Sequence, residues 1–258
     1  MKNIPIRPYV LAENNYKSVK QEKYTVAILP WGATEAHNYH LPYATDNIQA
    51  EQVAIEAARI SWGNSAKAVV LPTIPFGVNT GQLDVPLCIN MNPSTQLIVL
   101  KDIVDVLNRQ NIQKLVIVNA HGGNNFKQII RELSVDFPSV FICSLNWWQI
   151  TDTHQYFDEP GDHAGELETA VMLHLTPNLV LPIEEAGDGA SKTFKLKGLK
   201  EGWVTSQRHW NSVTEDTGVG NPKKAAKEKG EIFFKVVTKK IASFLEELHH
   251  ADLNDLYE

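Results

Sequence analysis

Four side chains that can bind metal or move protons, Glu35, His37, His40 and Asp46, fall in a dozen positions of "ILPWGATEAHNYHLPYATDN", residues 28–47. In extended chain, side chains two apart share a face, so Glu35 and His37 project together while Thr34 and Ala36 project oppositely. Asp46 comes nine residues after His37, where a helix begins. It reads either as a ligand or as an N-cap, with Gln49 three residues on completing a capping box. His121 follows the apolar run "LVIVNA" and precedes "GGNN", a tight turn into a helix. "HGGN" lacks the spacing of the dinucleotide fingerprint and the Lys of the P-loop. A third cluster lies in "GDHAGELETAVMLHL", residues 161–175. There Leu167, Ala170 and Val171 form an apolar stripe, and His174 falls on it as a core histidine. Glu168 lies off the stripe and His163 at the helix start, where acids and a histidine also suit dipole and cap chemistry.

Glu35, His37, Asp46, His121 and Glu168 supply two imidazoles and three carboxylates. That nitrogen and oxygen set suits Zn²⁺ or Mn²⁺, and without nearby cysteine it is no thiolate structural zinc site. Five ligands exceed one tetrahedral ion with an open position. They suffice for two ions about 3.5–4 Å apart if one carboxylate bridges.

The elements that must position these groups read as short β-branched runs alternating with helical patterns. Residues 24–32, 68–77, 114–123 and 140–145 are continuous apolar runs, as expected of parallel strands covered on both faces. Helices are expected over 46–61, 93–109, 125–136, 164–175 and 222–248, the second opened by Asn92 as cap and Pro93. The fold class is therefore α/β, a central mainly parallel sheet with helices on both faces in three layers. Residues 1–258 read as one domain, with an irregular loop-and-hairpin excursion at about 183–220. Both functional segments follow strands, where open α/β sheets collect ligands.

At 258 residues the chain can bury a substantial core. A net charge of −6 argues against nucleic acid and anionic membranes as partners, and "NPKKAAKEKG" (221–230) reads as a solvated helix face. The N-terminus is too polar and proline-broken for a secretory signal, and no run approaches the roughly 18 apolar residues of a membrane span. Cys88 and Cys143 read as reduced core thiols, and the cytoplasm is the expected compartment.

At the same residues the sequence resembles the creatininase (creatinine amidohydrolase) family. "LPWGATEAHNYHLPYATDN" is similar to its Gly-x-x-Glu-x-His-x-x-His-Leu-Pro…Thr-Asp signature, and "VNAHGGNN" to its Asn-Gly-His-Gly-Gly-Asn segment. "DHAGELETAVML" is similar to its His-Ala-Gly-x-x-Glu-Thr block, and "TGVGNPKKAAKEKGE" to its Gly-Val-x-Gly-Asp-Pro…Lys-Gly stretch. The four motifs run in order from about residue 25 to 232. The resemblance implies a creatininase-like α/β fold, two divalent metal ions (Zn and/or Mn), and hydrolysis of a non-peptide C–N bond. Carried over residue by residue, it has Glu35, Asp46 and His121 hold one ion, and His37 with a bridging Asp46 the other. Creatininase has a Glu two positions after the motif histidine; this chain has Gly123 there, so the remaining ligand is assigned to Glu168. His163 matches a histidine implicated in proton transfer to the leaving nitrogen. Family members are often homo-oligomers, hexamers among them, and the same is expected here.

The expected reaction is amidohydrolysis of a small-molecule cyclic amide, formamide or peptide-derived amide by a metal-bridged hydroxide. His163 protonates the departing nitrogen. The amides of Gly122 and Gly123 assist the oxyanion from a helix N-terminus, and Asn79 and Trp148 contact substrate. Gly122 stands where creatininase itself has Tyr, "FGVNTGQLDVPLCINMN" replaces a stretch that in family members often has His and Phe-Pro-Gly-Thr, and "HNYH" replaces the common His-Gly-Pro-His. These departures touch the pocket walls and leave the ligands intact, so creatinine itself is not implied as substrate. Two other readings stand beside this one: a catalytically silent metal-binding or partner-binding relative, and a nucleotide binder using "HGGNN" for phosphates.

Overall fold

The computed structural model describes residues 7–258. Strands β1 (Val26–Trp31), β2 (Ala68–Val70), β3 (Lys114–Asn119) and β4 (Phe141–Asn146) form a sheet of order β2-β1-β3-β4 in which every pairing is parallel. Helices α1 (Thr45–Gly63), α2 (Pro93–Arg109), α3 (Lys127–Asp136), α4 (Glu166–Leu175) and α5 (Lys227–His250) surround it. Alternation along the strands divides the core. Val26, Ile28, Val116 and Val118 face α1, α4 and α5, while Ala27, Leu29, Leu115 and Ile117 face α2 and α3. The expected three layers are therefore present, and the continuous apolar strands follow from burial on both faces.

The chain leaves β1 through α1 on one face and returns through α2 on the other. The strand order thus reverses between β1 and β3, and a crevice opens beyond their carboxyl ends. The segments carrying Glu35 and His121 emerge from those two ends.

Several expectations change in detail. The second strand ends at Val70, and beyond it only isolated bridges such as Trp31↔Ile74 and Gly77↔Asn90 continue the pairing. Residues 222–224 form a separate 3-10 turn, so the last helix runs 227–250 rather than 222–248. The side chain of Asn92 caps nothing and instead accepts from Asn90 at 2.8 Å. Cys88 and Cys143 are free but only half-buried. Among the described residues, the segment 183–220 contains no hairpin. Short helical turns (Ile183–Glu185, Lys197–Lys200, Trp210–Val213) and one bridge, Ser191↔Thr214, take its place. The segment is tied down by buried polar contacts: Asp216 accepts from the Gly189 and Gly218 amides and the Thr214 hydroxyl at 2.9 Å each. No helix among the described residues is long and apolar enough to cross a membrane.

Candidate metal centre

Glu35 and His37 lie in the irregular stretch between β1 and α1. A tight turn there (bridge His37↔Leu41) places Asn38 at φ 53°, a conformation that Asn tolerates better than most residues. Asp46 stands one residue inside α1. The cap reading is overturned: Ala44 occupies the N-cap, and the Asp46 carboxylate turns inward to His37 and His121 instead of to the first-turn amides. Gln49 is not its capping partner either, and donates to the Glu168 carbonyl at 3.3 Å. His121 sits in the turn after β3, and Glu168 faces the same point from the first turn of α4.

The fold brings these five residues into one cluster, in which Glu35, His37, Asp46 and His121 are buried and Glu168 is partly exposed at the edge of the cavity. His121 Nδ1 lies 2.8 Å from Glu35 Oε1 and 3.1 Å from Asp46 Oδ2, while His37 Nε2 lies 2.9 Å from Asp46 Oδ1 and 4.0 Å from Glu168 Oε2. Ligand atoms of Glu35, Asp46 and His121 approach within 4.8 Å of one another, as do those of His37, Asp46 and Glu168, so Asp46 belongs to both groups. His163 also enters, its Nδ1 3.7 Å from Glu35 Oε1 and its ring tilted by 34° against that of His37, with centroids 4.1 Å apart. A third group that could hold an ion is Glu35, His37 and His163. His40 stays outside. Its Nε2 pairs with the Thr169 hydroxyl at 2.8 Å, and burial, with His37 nearby, pushes its pKa down to about 4.

Three features fit this cluster to cations. Each imidazole donates one ring N–H to a backbone carbonyl: His37 Nδ1 to Glu35 at 3.2 Å, His121 Nε2 to Val78 at 3.0 Å, His163 Nε2 to Ala36 at 2.8 Å. A carbonyl only accepts, so the other nitrogen of each ring is left to face the centre, the usual arrangement behind metal-ligating histidines. Asp46 Oδ2 is buried without a hydrogen bond of good geometry. Among the described residues, no Lys or Arg pairs with Glu35, Asp46 or Glu168. Without metal, protons on the imidazoles balance the carboxylate charge. Burial opposes charge on His37, yet Asp46, Glu168 and Glu35 raise its pKa to about 10; His121 is raised for the same reason. Burial likewise works against ionised Glu35, but His121, His163 and His37 hold its pKa well below the usual carboxylate range. Glu168 is pushed up by burial, with a further contribution from Asp46.

The glycines of the motifs make room for this packing. A Cβ on Gly123 would meet Val78 O at 2.3 Å and His121 Nε2 at 2.4 Å, so a glutamate ligand at that position is incompatible with the present turn. Ala164 adopts φ 50° and turns its amide onto Glu168 Oε2, fixing that carboxylate against the centre.

A cavity of about 560 Å³ opens above the cluster, lined among others by Asn79, Gly122, Gly123, Trp148 and His163. Asn79 donates to the Ile89 carbonyl at 3.2 Å, and its buried Oδ1 has no partner. The tryptophan pair divides: Trp148 lines the cavity, whereas Trp147 is buried against Phe233. Gly122 and Gly123 are not at a helix N-terminus, since α3 begins only at Lys127, so no dipole assists their amides. Sequence reasoning missed Gln82, whose Nε2 donates to Glu35 Oε2, and Cys88, whose thiol lies 3.2 Å from Gln82 Oε1. It also missed Arg208 and Trp210, which wall the cavity from the irregular segment. No spacing rule marks Gln82; the polar run "TSQRHW" was the one signal for the other two.

The family model for creatininase, described as creatinine amidohydrolase, matches residues 12–245. A Bacteroides fragilis crystal structure whose creatinine amidohydrolase name is provisional superposes with a TM-score of 0.91 at 44% identity, covering 97% of this chain and 99% of that one. Creatininases solved as Zn-Zn and Mn forms superpose at 0.76 with 22% identity, over 94% of this chain and 99% of theirs, a likeness of fold. The creatinine amidohydrolase of Pseudomonas putida is 27% identical over 86% of this chain and 89% of its own length. The mycofactocin precursor peptide peptidase of Mycolicibacterium smegmatis is 26% identical over 81% and 79%. With the profile spanning nearly the whole chain, the protein belongs to the creatininase family.

Proposed function

We propose that this chain is a two-metal-dependent hydrolase of a carbon–nitrogen bond. The observation that carries the reading is the position of Asp46, whose two oxygens face His121 and His37 separately. Glu35, Asp46 and His121 would hold one divalent ion, and His37, Asp46 and Glu168 the other; Zn²⁺ and Mn²⁺ both suit the donors. Bound there, such ions supply Lewis acidity towards a carbonyl oxygen and an activated water at neutral pH.

The remaining work falls to the chain. His163, with Nε2 committed to the Ala36 carbonyl, keeps Nδ1 for a proton at the reacting bond and delivers it to the leaving nitrogen. The unpartnered Asn79 Oδ1 accepts an N–H of the substrate, while Trp148 and the backbone of Gly122 and Gly123 bound the space it occupies. Names among the relatives point to creatinine and to a precursor peptide, so the substrate is proposed only as an amide.

Elemental analysis of the purified chain tests the reading. It should show about two ions per chain, falling to one or fewer in Glu168→Gln and His121→Ala. A chain that takes up no ion even when purified with Zn²⁺ or Mn²⁺ would overturn it and leave the binding-protein alternative.

A further inference from the structure

The cavity above the metal centre is larger than a single five-membered ring needs and lies in the range that encloses drug-sized ligands. One wall is Thr205–Arg208, from the irregular segment, and Arg208 is the only Lys or Arg among the lining residues. Its guanidinium carbon lies 4.7 Å over the Trp210 ring, and Trp210 meets His163 edge-on at 5.3 Å. These two separations put the guanidinium no more than about 10 Å from the His163 ring. The stacking platform is fixed: Trp210 is buried, its Nε1 donates to the Thr217 carbonyl at 2.9 Å and its amide to the Gly81 carbonyl at 2.9 Å. A guanidinium lying on such a plane keeps its donor edge for bidentate acceptors such as carboxylates.

We propose that Arg208 reads a carboxylate on the substrate, so that the chain acts on acidic amides with an anionic group spaced from the bond that is cut. The position of that bond rests on the two-metal reading above. Among the described residues, Arg208 has one ionic partner, Asp162, at 2.9 Å from Nη1. The Asp162 side chain is 60% exposed and that of Arg208 39%, and ion pairs so open to water are weak, so Asp162 yields to a better-placed carboxylate. Nor is this pair needed to fasten the wall. The wall already packs on Gly81, where a Cβ would meet the Arg208 carbonyl oxygen at 2.1 Å and Gln207 Nε2 at 2.5 Å. Two divalent ions outweigh the charge of three carboxylates, so the loaded centre does not repel an anion.

The test uses the zinc-loaded full chain, its metal content verified, and two probes that differ only at the far end: adipic acid monohydroxamate and its terminal amide. Titration calorimetry should show the acid binding about tenfold more tightly than the amide, an advantage lost in Arg208→Gln and kept in Asp162→Asn. Equal affinities in the wild type overturn the proposal. So does loss of the advantage in Asp162→Asn to the same extent as in Arg208→Gln, because Arg208 would then act only as a fastening for the wall. A verified zinc content below two per chain would overturn the two-metal reading, whereas a chain that holds two zinc ions and binds neither probe overturns the carboxylate proposal.

Discussion

Gln82 shows how much a single side chain outside any motif can determine. Its amide nitrogen occupies Glu35 Oε2, while its oxygen faces the Cys88 thiol, whose sulfur also accepts from the Ala36 amide at 3.2 Å. One oxygen of Glu35 is thereby committed and the other is presented to His121. Outer partners of this kind orient a ligand and typically contribute 10- to 100-fold in metal affinity. Gln82→Leu should therefore weaken metal binding by about tenfold or more, measured by competition with a chromophoric chelator, while the metal-free chain keeps its circular dichroism. An unchanged affinity would mean that Glu35 is held by its backbone alone.

At the level of elements, the centre depends on how closely α4 and α5 approach. A Cβ on Gly230 would meet the Ala170 carbonyl oxygen at 2.0 Å, and Glu168 lies half a turn earlier on α4. Helix propensity alone favours alanine over glycine by about 1 kcal/mol. The contact reverses that expectation. Gly230→Ala should destabilise the chain by about 1–3 kcal/mol in urea unfolding and weaken metal binding as α4 shifts. A stabilised Gly230→Ala variant would show that the helices can part without cost. The crevice between β1 and β3 follows from the strand order, and the irregular segment, anchored by Asp216, completes it through Arg208 and Trp210.

For the whole molecule, the cluster makes stability depend on both pH and metal. His37, faced by Asp46, Glu168, Glu35 and the adjacent His163 ring, has its folded pKa near 10 against an ordinary 6.5. A raised pKa means the folded, metal-free chain gains stability from this proton below about pH 6.5 and loses it as pH climbs towards 10. Ligation needs the unprotonated ring, so metal affinity moves oppositely, rising with pH over that window. Thermal melts in EDTA should therefore fall in Tm from pH 6.5 to 10, and the gap to zinc-loaded samples should widen. Parallel curves with and without zinc would contradict the cluster as a metal centre. If residues 1–258 form the single domain that the sequence suggests, each melt will be one cooperative transition.

The sequence by itself determined the class of fold, because strands buried on both faces must be apolar throughout and crossover helices must carry one apolar stripe. It also singled out the five candidate ligands and His163, because imidazoles and carboxylates gathered after strands have little use in a core. Local pattern could not decide which role Asp46 plays, since one inward turn of its side chain separates a cap from a ligand. Nor could it reveal the absence of a hairpin at 183–220, where buried polar contacts to Asp216 replace a ladder, or the split of Trp147 from Trp148. Gln82 on Glu35 and Arg208 on Trp210 come from contacts between segments 47 and 2 residues apart, respectively, within loops whose paths no periodicity encodes. Those paths are set by side-chain hydrogen bonds and close backbone approaches, and only the tertiary structure contains them.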